Sequence, residues 1–244
     1  MTTLGFLYPG HAAEDDYPTA QKMLGGGHTL RVEHTYGEDL HAIEELLDLG
    51  NPSRLAEGAG RLAAYSPAAV IWACTSGSFV YGWEGATEQA AKLAEAAGVP
   101  ASSTSFAFVR ATQAIGARKV AVAASYPKPV ADRFVDFLAA AGIEVVRMSS
   151  HGIQTAAEVG TLPVDAVLEL AAGNDHPDAD AVLVPDTAMR TVALVDTIEK
   201  RIGKPVLTAN QVTIWEALRL SGEPLVHSGL GTLFRAAASA GQGR

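Results

Sequence analysis

Short apolar runs alternate with alanine-rich amphipathic stretches along nearly the whole chain, and this alternation limits the fold more than any other feature. The runs predicted as buried strands are Leu4–Tyr8, Leu30–Thr35, Ala69–Ala73, Val120–Ala124, Glu144–Met148, Ala181–Pro185 and Pro205–Thr208. Most are rich in valine or other apolar residues and are bounded by turn residues, as parallel strands covered on both faces should be. Between them lie predicted helices over Asp39–Leu49, Pro52–Ser66, Gly85–Ala97, Ser105–Ile115, Pro129–Ala141, Thr155–Val159, Val164–Gly173, Met189–Ile202 and Val212–Ser221. Gly98, Gly116, Gly142 and Gly203 stand where helices should stop. Strands and helices in strict alternation predict an α/β fold with parallel sheets. A chain of 244 residues, 48% hydrophobic and 18% charged, has room for one large domain or two of about 100–150 residues.

Two stretches look like copies of one another. Ala68–Thr75 reads AAVIWACT and Ala179–Thr187 reads ADAVLVPDT; each is an apolar strand, then a polar residue, then a threonine. A helix follows each, then Gly98-Val99-Pro100 in one and Gly203-Lys204-Pro205 in the other, then Ser102-Ser103-Thr104 and Thr208-Ala209-Asn210. This is an internal duplication of two α/β halves, and it gives Cys74 and Asp186 equivalent positions. Ligands of α/β sheets bind outside the C-terminal ends of the strands, so both residues are expected to face one cleft. The expected division is a first subdomain of residues 1–112 with 209–244, carrying Cys74, and a second of 113–208, carrying Asp186.

Charge and composition exclude several functions. A net charge of −9 with nothing basic clustered argues against nucleic acid or an anionic membrane as partner. No apolar stretch approaches the ~20 residues that span a bilayer, and the start of the chain has no basic segment of the kind that opens an export signal. With one cysteine there is no disulfide within the chain, and a reducing cytoplasm is the expected location. The seven histidines (11, 28, 34, 41, 151, 176 and 227) show no metal-ligand spacing and read as surface or packing residues. Gly25-Gly26-Gly27 precedes a strand instead of joining strand to helix, so nothing calls for a nucleotide, metal or other cofactor. Glu14, Asp15 and Asp16 read as a solvated loop, Asn174–Asp180 as a polar surface loop, and the tail 236–244 as a fraying end.

Three places can carry chemistry. Cys74-Thr75-Ser76-Gly77-Ser78 turns out of a buried strand. If a helix begins there, its first N–H groups hold a carboxylate and its field favours a thiolate; otherwise Cys74 is a small packing residue and Thr75 and Ser76 cap the helix. Tyr126 follows a strand end, placed either to donate its O–H to a bound carboxylate or to pack in a turn. Asp186 is either a helix N-cap or an acid/base group facing Cys74.

At these residues the chain resembles the aspartate/glutamate racemase superfamily and, within it, the arylmalonate decarboxylase and maleate isomerase branch. The matching stretches are LYPG near the start, CTSGSF at 74–79, VAVAASY at 120–126, AVLVPDT at 181–187, GKPVL at 203–207, WEALRLSG at 215–222 and GLGTLF at 229–234. The resemblance implies two pseudo-symmetric, Rossmann-like α/β subdomains with the active site in the cleft between them, and no cofactor. Members of the superfamily form a carbanion or enediolate beside a carboxylate and move protons with cysteines. Racemases and maleate isomerases carry one cysteine in each half, while arylmalonate decarboxylases keep the second and have glycine at the first. Carried over, the first cysteine is Cys74 and the second falls on Asp186. Thr75, Ser76 and Tyr126 correspond to the donors that hold the enediolate, Thr187 and Ala188 to the backbone donors of the second half, and Pro9 to the first strand's contribution.

This chain therefore has the first thiol and lacks the second, the mirror of the known decarboxylases. An ordinary thiol and an ordinary carboxyl differ by about four to five in pKa, which makes two-way proton traffic between Cys74 and Asp186 lopsided. A decarboxylase needs one acid only. The expected function is a cofactor-independent decarboxylase of a malonate-like diacid, with or without an aryl substituent, with Cys74 as proton donor. The alternatives are a maleate-type cis–trans isomerase or a racemase using Cys74 with Asp186, and a protein that binds a carboxylic acid without turning it over. The expected partner is a small carboxylic acid; oligomeric state is left open.

Overall fold

The fold, seen in a computed structural model, is described for residues 1–37 and 40–236. Its frame is two four-stranded sheets in which every strand pair is parallel. The first is ordered β2-β1-β3-β4, from β1 (Thr2–Pro9), β2 (His28–Thr35), β3 (Ala69–Trp72) and β4 (Ala101–Ser103). The second is ordered β6-β5-β7-β8, from β5 (Lys119–Ala124), β6 (Glu144–Ser150), β7 (Ala181–Val184) and β8 (Val206–Thr208). The two orders are the same with four added to each strand number, so the duplication read in the sequence is a duplication of sheets. The inner strands β3 and β7 are buried at every residue, whereas the edge strand β6 is partly exposed throughout. Inner parallel strands covered on both faces must be apolar all along, which is why AVIW and AVLV stand out in the sequence.

Helices α1 (Asp16–Met23), α2 (Ile43–Leu49), α3 (Pro52–Leu62), α4 (Ser76–Phe79), α5 (Gly82–Ala97) and α6 (Thr104–Ala114) belong to the first run of strands. Helices α7 (Lys128–Ala140), α8 (Ala156–Val159), α9 (Val164–Ala172), α10 (Val195–Ile202), α11 (Ala209–Ser221) and α12 (Gly231–Ala236) complete the chain. None of the described helices is long and apolar enough to cross a membrane. Gly98 and Gly203 end α5 and α10 in the left-handed region, at φ +67° and +76°, where a side chain would be strained. The last helices of the two sheets, α6 and α11, pack on each other. Thr104 Oγ1 and Thr213 Oγ1 meet at 2.6 Å, and the fully buried Glu216 accepts hydrogen bonds from both Arg110 and Arg219.

Several sequence expectations need correcting. Three elements went unread: β4, whose three residues are too few to show a period, α1, which is polar on average and begins in the acidic stretch taken for a solvated loop, and the six-residue α12. Asp16 in that stretch is buried; it accepts the N–H groups of Thr191 and Val192 and the amide of Asn210. The helix expected over 189–202 begins at Val195, after a single 3-10 turn at Val192–Leu194. That expected over 39–49 begins at Ile43, and Asp39 lies outside the described residues. The tail 237–244 does too. The helix expected over 52–66 ends at Leu62, passes through a 3-10 turn, and is stopped by Ser66 at φ +47°.

Candidate active site

Cys74 lies two residues past β3. The Ala73 N–H still donates to the Leu7 carbonyl, at 2.8 Å, and the chain then turns away into the single turn of α4. The turn is held from all sides by buried side chains. Ser105 donates to the Thr75 carbonyl at 2.7 Å, Ser78 to Ser103 at 2.8 Å, and Trp72 Nε1 and Gln89 Nε2 to the Gly77 carbonyl at 3.2 and 2.8 Å. Gly77 brings its own N–H to within 3.2 Å of Cys74 Sγ. A Cβ on Gly77 would meet that sulfur and the Trp72 ring, each at 3.1 Å, so glycine is what allows the approach. Ser76 Oγ lies 3.7 Å from Sγ.

Asp186 lies two residues past β7, the matching strand. Ser125, at the end of β5, donates its hydroxyl to Asp186 Oδ2, and the Ala188 N–H donates to Oδ1 at 2.9 Å. No helix starts here, so Asp186 is not a helix N-cap; it closes a tight side-chain-to-backbone turn. The next carbonyl, Thr187, accepts from Tyr8 Oη at 2.8 Å and from Asn210 Nδ2 at 3.1 Å. Tyr8 Oη also accepts the Ala13 N–H at 3.0 Å, so one phenol ties the end of β1 to the 186–188 turn.

Both strand-end turns open on one cavity. Cys74, Ser76, Asp186, Thr187, Ala188 and Pro9 contribute to its wall, and among the sequence candidates Thr75 and Tyr126 do not. Tyr126 sits behind the wall, with its O–H donated to the Pro185 carbonyl at 2.6 Å. Thr75 Oγ1 is fully buried with no hydrogen-bond partner, and Thr75 makes no side-chain cap on α4. The Tyr126 phenol lies beside this hydroxyl.

Sequence reading missed several cavity residues, Tyr8 and His41 among them. His41, taken for a surface or packing residue, is buried in the wall. Its Nδ1 faces the Ile153 carbonyl at 2.9 Å, its backbone N–H donates to Gln154 at 2.8 Å, and its ring meets the edge of Tyr126 at right angles, 4.9 Å between centroids. Leu40 pairs with Thr155 next to it. The segment around His41 thus reaches from the first sheet to the β6–α8 connection, and no local spacing announces such a crossing. Beneath it the cavity measures about 40 Å³, against about 10–15 Å³ for one water on the same measure.

Of the two readings of the turn after Cys74, one gave the thiol a helix whose field favours a thiolate; α4 is a single turn with little dipole, and burial dominates. Burial pushes the Cys74 thiol up to about 11, and the Asp186 carboxylate adds to this against the opposing Gly77 and Ser76 hydrogen bonds. Burial likewise raises Tyr126 well above the ordinary tyrosine range, with Asp186 and Cys74 reinforcing it. Metal-ligating side chains meet, among the described residues, only at His11, Glu14 and His34, beside the loop that brings Pro9, Gly10 and Ala12 into the cavity wall.

This geometry has known counterparts. A family model for arylmalonate decarboxylase matches residues 45–234. The arylmalonate decarboxylase of Bordetella bronchiseptica is 29% identical over 166 residues, 67% of this chain and 69% of that protein. A maleate isomerase of Nocardia farcinica is 30% identical over 134 residues, 54% of this chain and 53% of its own, so the match spans about half of that relative. Among solved structures, the maleate isomerase Iso of Pseudomonas putida S16, a cysteine-to-alanine form with maleate, superposes with a TM-score of 0.89 at 22% identity, covering 97% and 98% of the two chains. A liganded arylmalonate decarboxylase double mutant, with glycine replaced by cysteine and cysteine by serine, superposes with a TM-score of 0.85 at 25% identity over 96% and 99%. A Nocardia farcinica maleate cis–trans isomerase mutant holding a covalently bound succinylcysteine intermediate does so with 0.87 at 22% over 96% and 98%. The neighbours at 22% identity attest the fold; the family match, running from residue 45 to residue 234 and through both strand-end turns, means that this chain belongs to the arylmalonate decarboxylase family.

Proposed function

We propose that the protein decarboxylates a malonate-like diacid without a cofactor, with Cys74 as the proton donor. The observation that carries this reading is the state of the thiol: buried, pushed up to about 11, and therefore protonated at neutral pH. A protonated thiol is an acid ready to give its hydrogen, whereas attack on a double bond needs the thiolate. In the proposed step the bond to one carboxylate carbon breaks, carbon dioxide leaves, and the electron pair stays behind as an enediolate. Sγ then gives its proton to the α-carbon, and the thiolate so formed is reprotonated from water. Thr75 Oγ1, which has no protein partner, and Ser76 Oγ are the proposed donors to the enediolate oxygens, with Thr187, Ala188 and Pro9 shaping the carboxylate site. Such donors act where charge develops, and loss of one typically costs about 100- to 1000-fold in rate. Tyr126, committed to Pro185, would contribute only by exchanging that bond for the substrate.

A racemase is a weaker reading, because both Asp186 oxygens already accept hydrogen bonds. An isomerase is supported by the maleate isomerases among the relatives and by the cysteine adduct described for one of them. The double mutant with its thiol moved supports the decarboxylase, since the correspondence drawn above gives it this chain's one-thiol arrangement.

A panel of alkyl- and arylmalonates, maleate and amino acids, incubated in deuterated water, tests the proposal. The expected result is carbon dioxide release from a malonate, one deuterium at the product's α-carbon, and a loss of about 100-fold or more in Cys74→Ser. Fumarate from maleate, with a mass adduct on Cys74, would assign the isomerase instead. Tight binding of a diacid with no turnover would make the protein a binding protein.

A further inference from the structure

The histidines of the β1–α1 loop and of β2 have no part in the reaction proposed above, yet they are drawn together. We propose that His11, Glu14 and His34 form a binding site for a divalent transition-metal ion such as zinc, clamping the loop that lines the cavity. One ligand atom from each residue lies within 4.8 Å of the other two. His11 Nδ1 and Glu14 Oε1 are 3.0 Å apart. Two ligands about 2.1 Å from one tetrahedral ion stand about 3.4 Å apart, so an ion can take the place of the hydrogen between these atoms if they part by a few tenths of an ångström. His34 is already oriented as a ligand. Its Nδ1 lies 2.5 Å from the Gly10 carbonyl, so its hydrogen goes there and Nε2 keeps a bare lone pair. Metal-bound histidines are held in the same way, by a carbonyl at the other ring nitrogen. The carboxylate is oriented too, because Glu14 Oε2 accepts the Ala12 N–H at 2.8 Å.

Packing supports the same reading: the His11 and His34 rings stack with centroids 3.8 Å apart, so both side chains are already gathered where an ion would sit. Two imidazoles and one carboxylate suit zinc, nickel or cobalt better than the oxygen-seeking magnesium or calcium. His11 is exposed, which leaves room for water in the remaining positions. Two separate segments supply the residues, the β1–α1 loop and β2, and this is why the histidine spacing gave no sign of them.

The full chain, stripped with chelator and dialysed against zinc chloride, is expected to retain one equivalent of zinc by elemental analysis. His11→Ala and Glu14→Gln are each expected to weaken binding by about tenfold or more, and Cys74→Ser to leave it unchanged. Since His11 is exposed, its replacement should leave the metal-free melting temperature unaltered, separating lost ligation from lost folding. Cobalt is expected to give a visible spectrum without thiolate charge transfer. The proposal is overturned if wild type and His11→Ala bind zinc alike, if no zinc is retained, or if Cys74→Ser is the variant that loses it.

Discussion

Raising the pH interrogates the Cys74 thiol directly, because its protonation separates an acid from a nucleophile. Burial moves it from an ordinary 9.0 to about 11. At pH 7 its thiolate fraction is then about one in ten thousand, against about one in a hundred for the ordinary thiol. Alkylation by iodoacetamide should be about 100-fold slower in the native protein than in the urea-unfolded chain at that pH, beyond any effect of access. The rate should climb until it bends near 11. Asp186→Asn, which removes a charge that helps to raise the thiol, should lower the bend. The same shift fixes a sign for stability. Between 9 and 11 the folded chain keeps a proton that the unfolded chain has lost, so stability falls as the pH rises through this window and is unaffected by Cys74 below it. Two pH units correspond to about 3 kcal/mol. Urea unfolding of wild type and Cys74→Ser from pH 8 to 11.5 should therefore show the wild type losing most of that amount relative to the variant. An alkylation profile that bends below 8.5, or parallel stability curves, would refute the reasoning and return the thiolate chemistry of an isomerase to first place.

Three further outcomes are expected. Gly77→Ala places a methyl 3.1 Å from Cys74 Sγ and from Trp72; overpacking there should cost about 1–3 kcal/mol in chemical denaturation and depress turnover. Tyr8→Phe removes the donor to Thr187 and the acceptor of the Ala13 N–H; the melting temperature should fall in line with a loss of about 1–3 kcal/mol, and kcat should fall because the 186–188 turn loosens. Glu216→Ala removes a buried carboxylate shared by Arg110 and Arg219. As both arginines are about a third exposed, the expected loss is about 2 kcal/mol instead of the larger cost of stranding a buried charge.

Much of the frame was legible before the structure. AVIW and AVLV declare inner parallel strands because burial on both faces admits only apolar side chains. Gly98 and Gly203 mark helix ends because a left-handed cap excludes most other residues. The repeat that set Cys74 beside Asp186 in the argument is local as well: both stand two residues beyond equivalent strands. These are properties of neighbours along the chain, and neighbours along the chain are what a sequence displays.

What stayed hidden depends on residues far apart. Asp16 looked solvated and is buried, because Thr191, Val192 and Asn210 come to it from beyond residue 190. His41 reaches the cavity wall through partners at 153 and 154, and His11, Glu14 and His34 meet only because β1 and β2 lie side by side. The thiol itself changed most. In the sequence it stood either at the start of a helix, where a dipole would draw out its proton, or as a packing residue; in the fold that helix is one turn long, the sulfur is buried, and a carboxylate from the other half faces the same cavity. A residue's place on a strand follows from the pattern around it, but its charge follows from how much water reaches it and which distant groups surround it, and packing alone sets both.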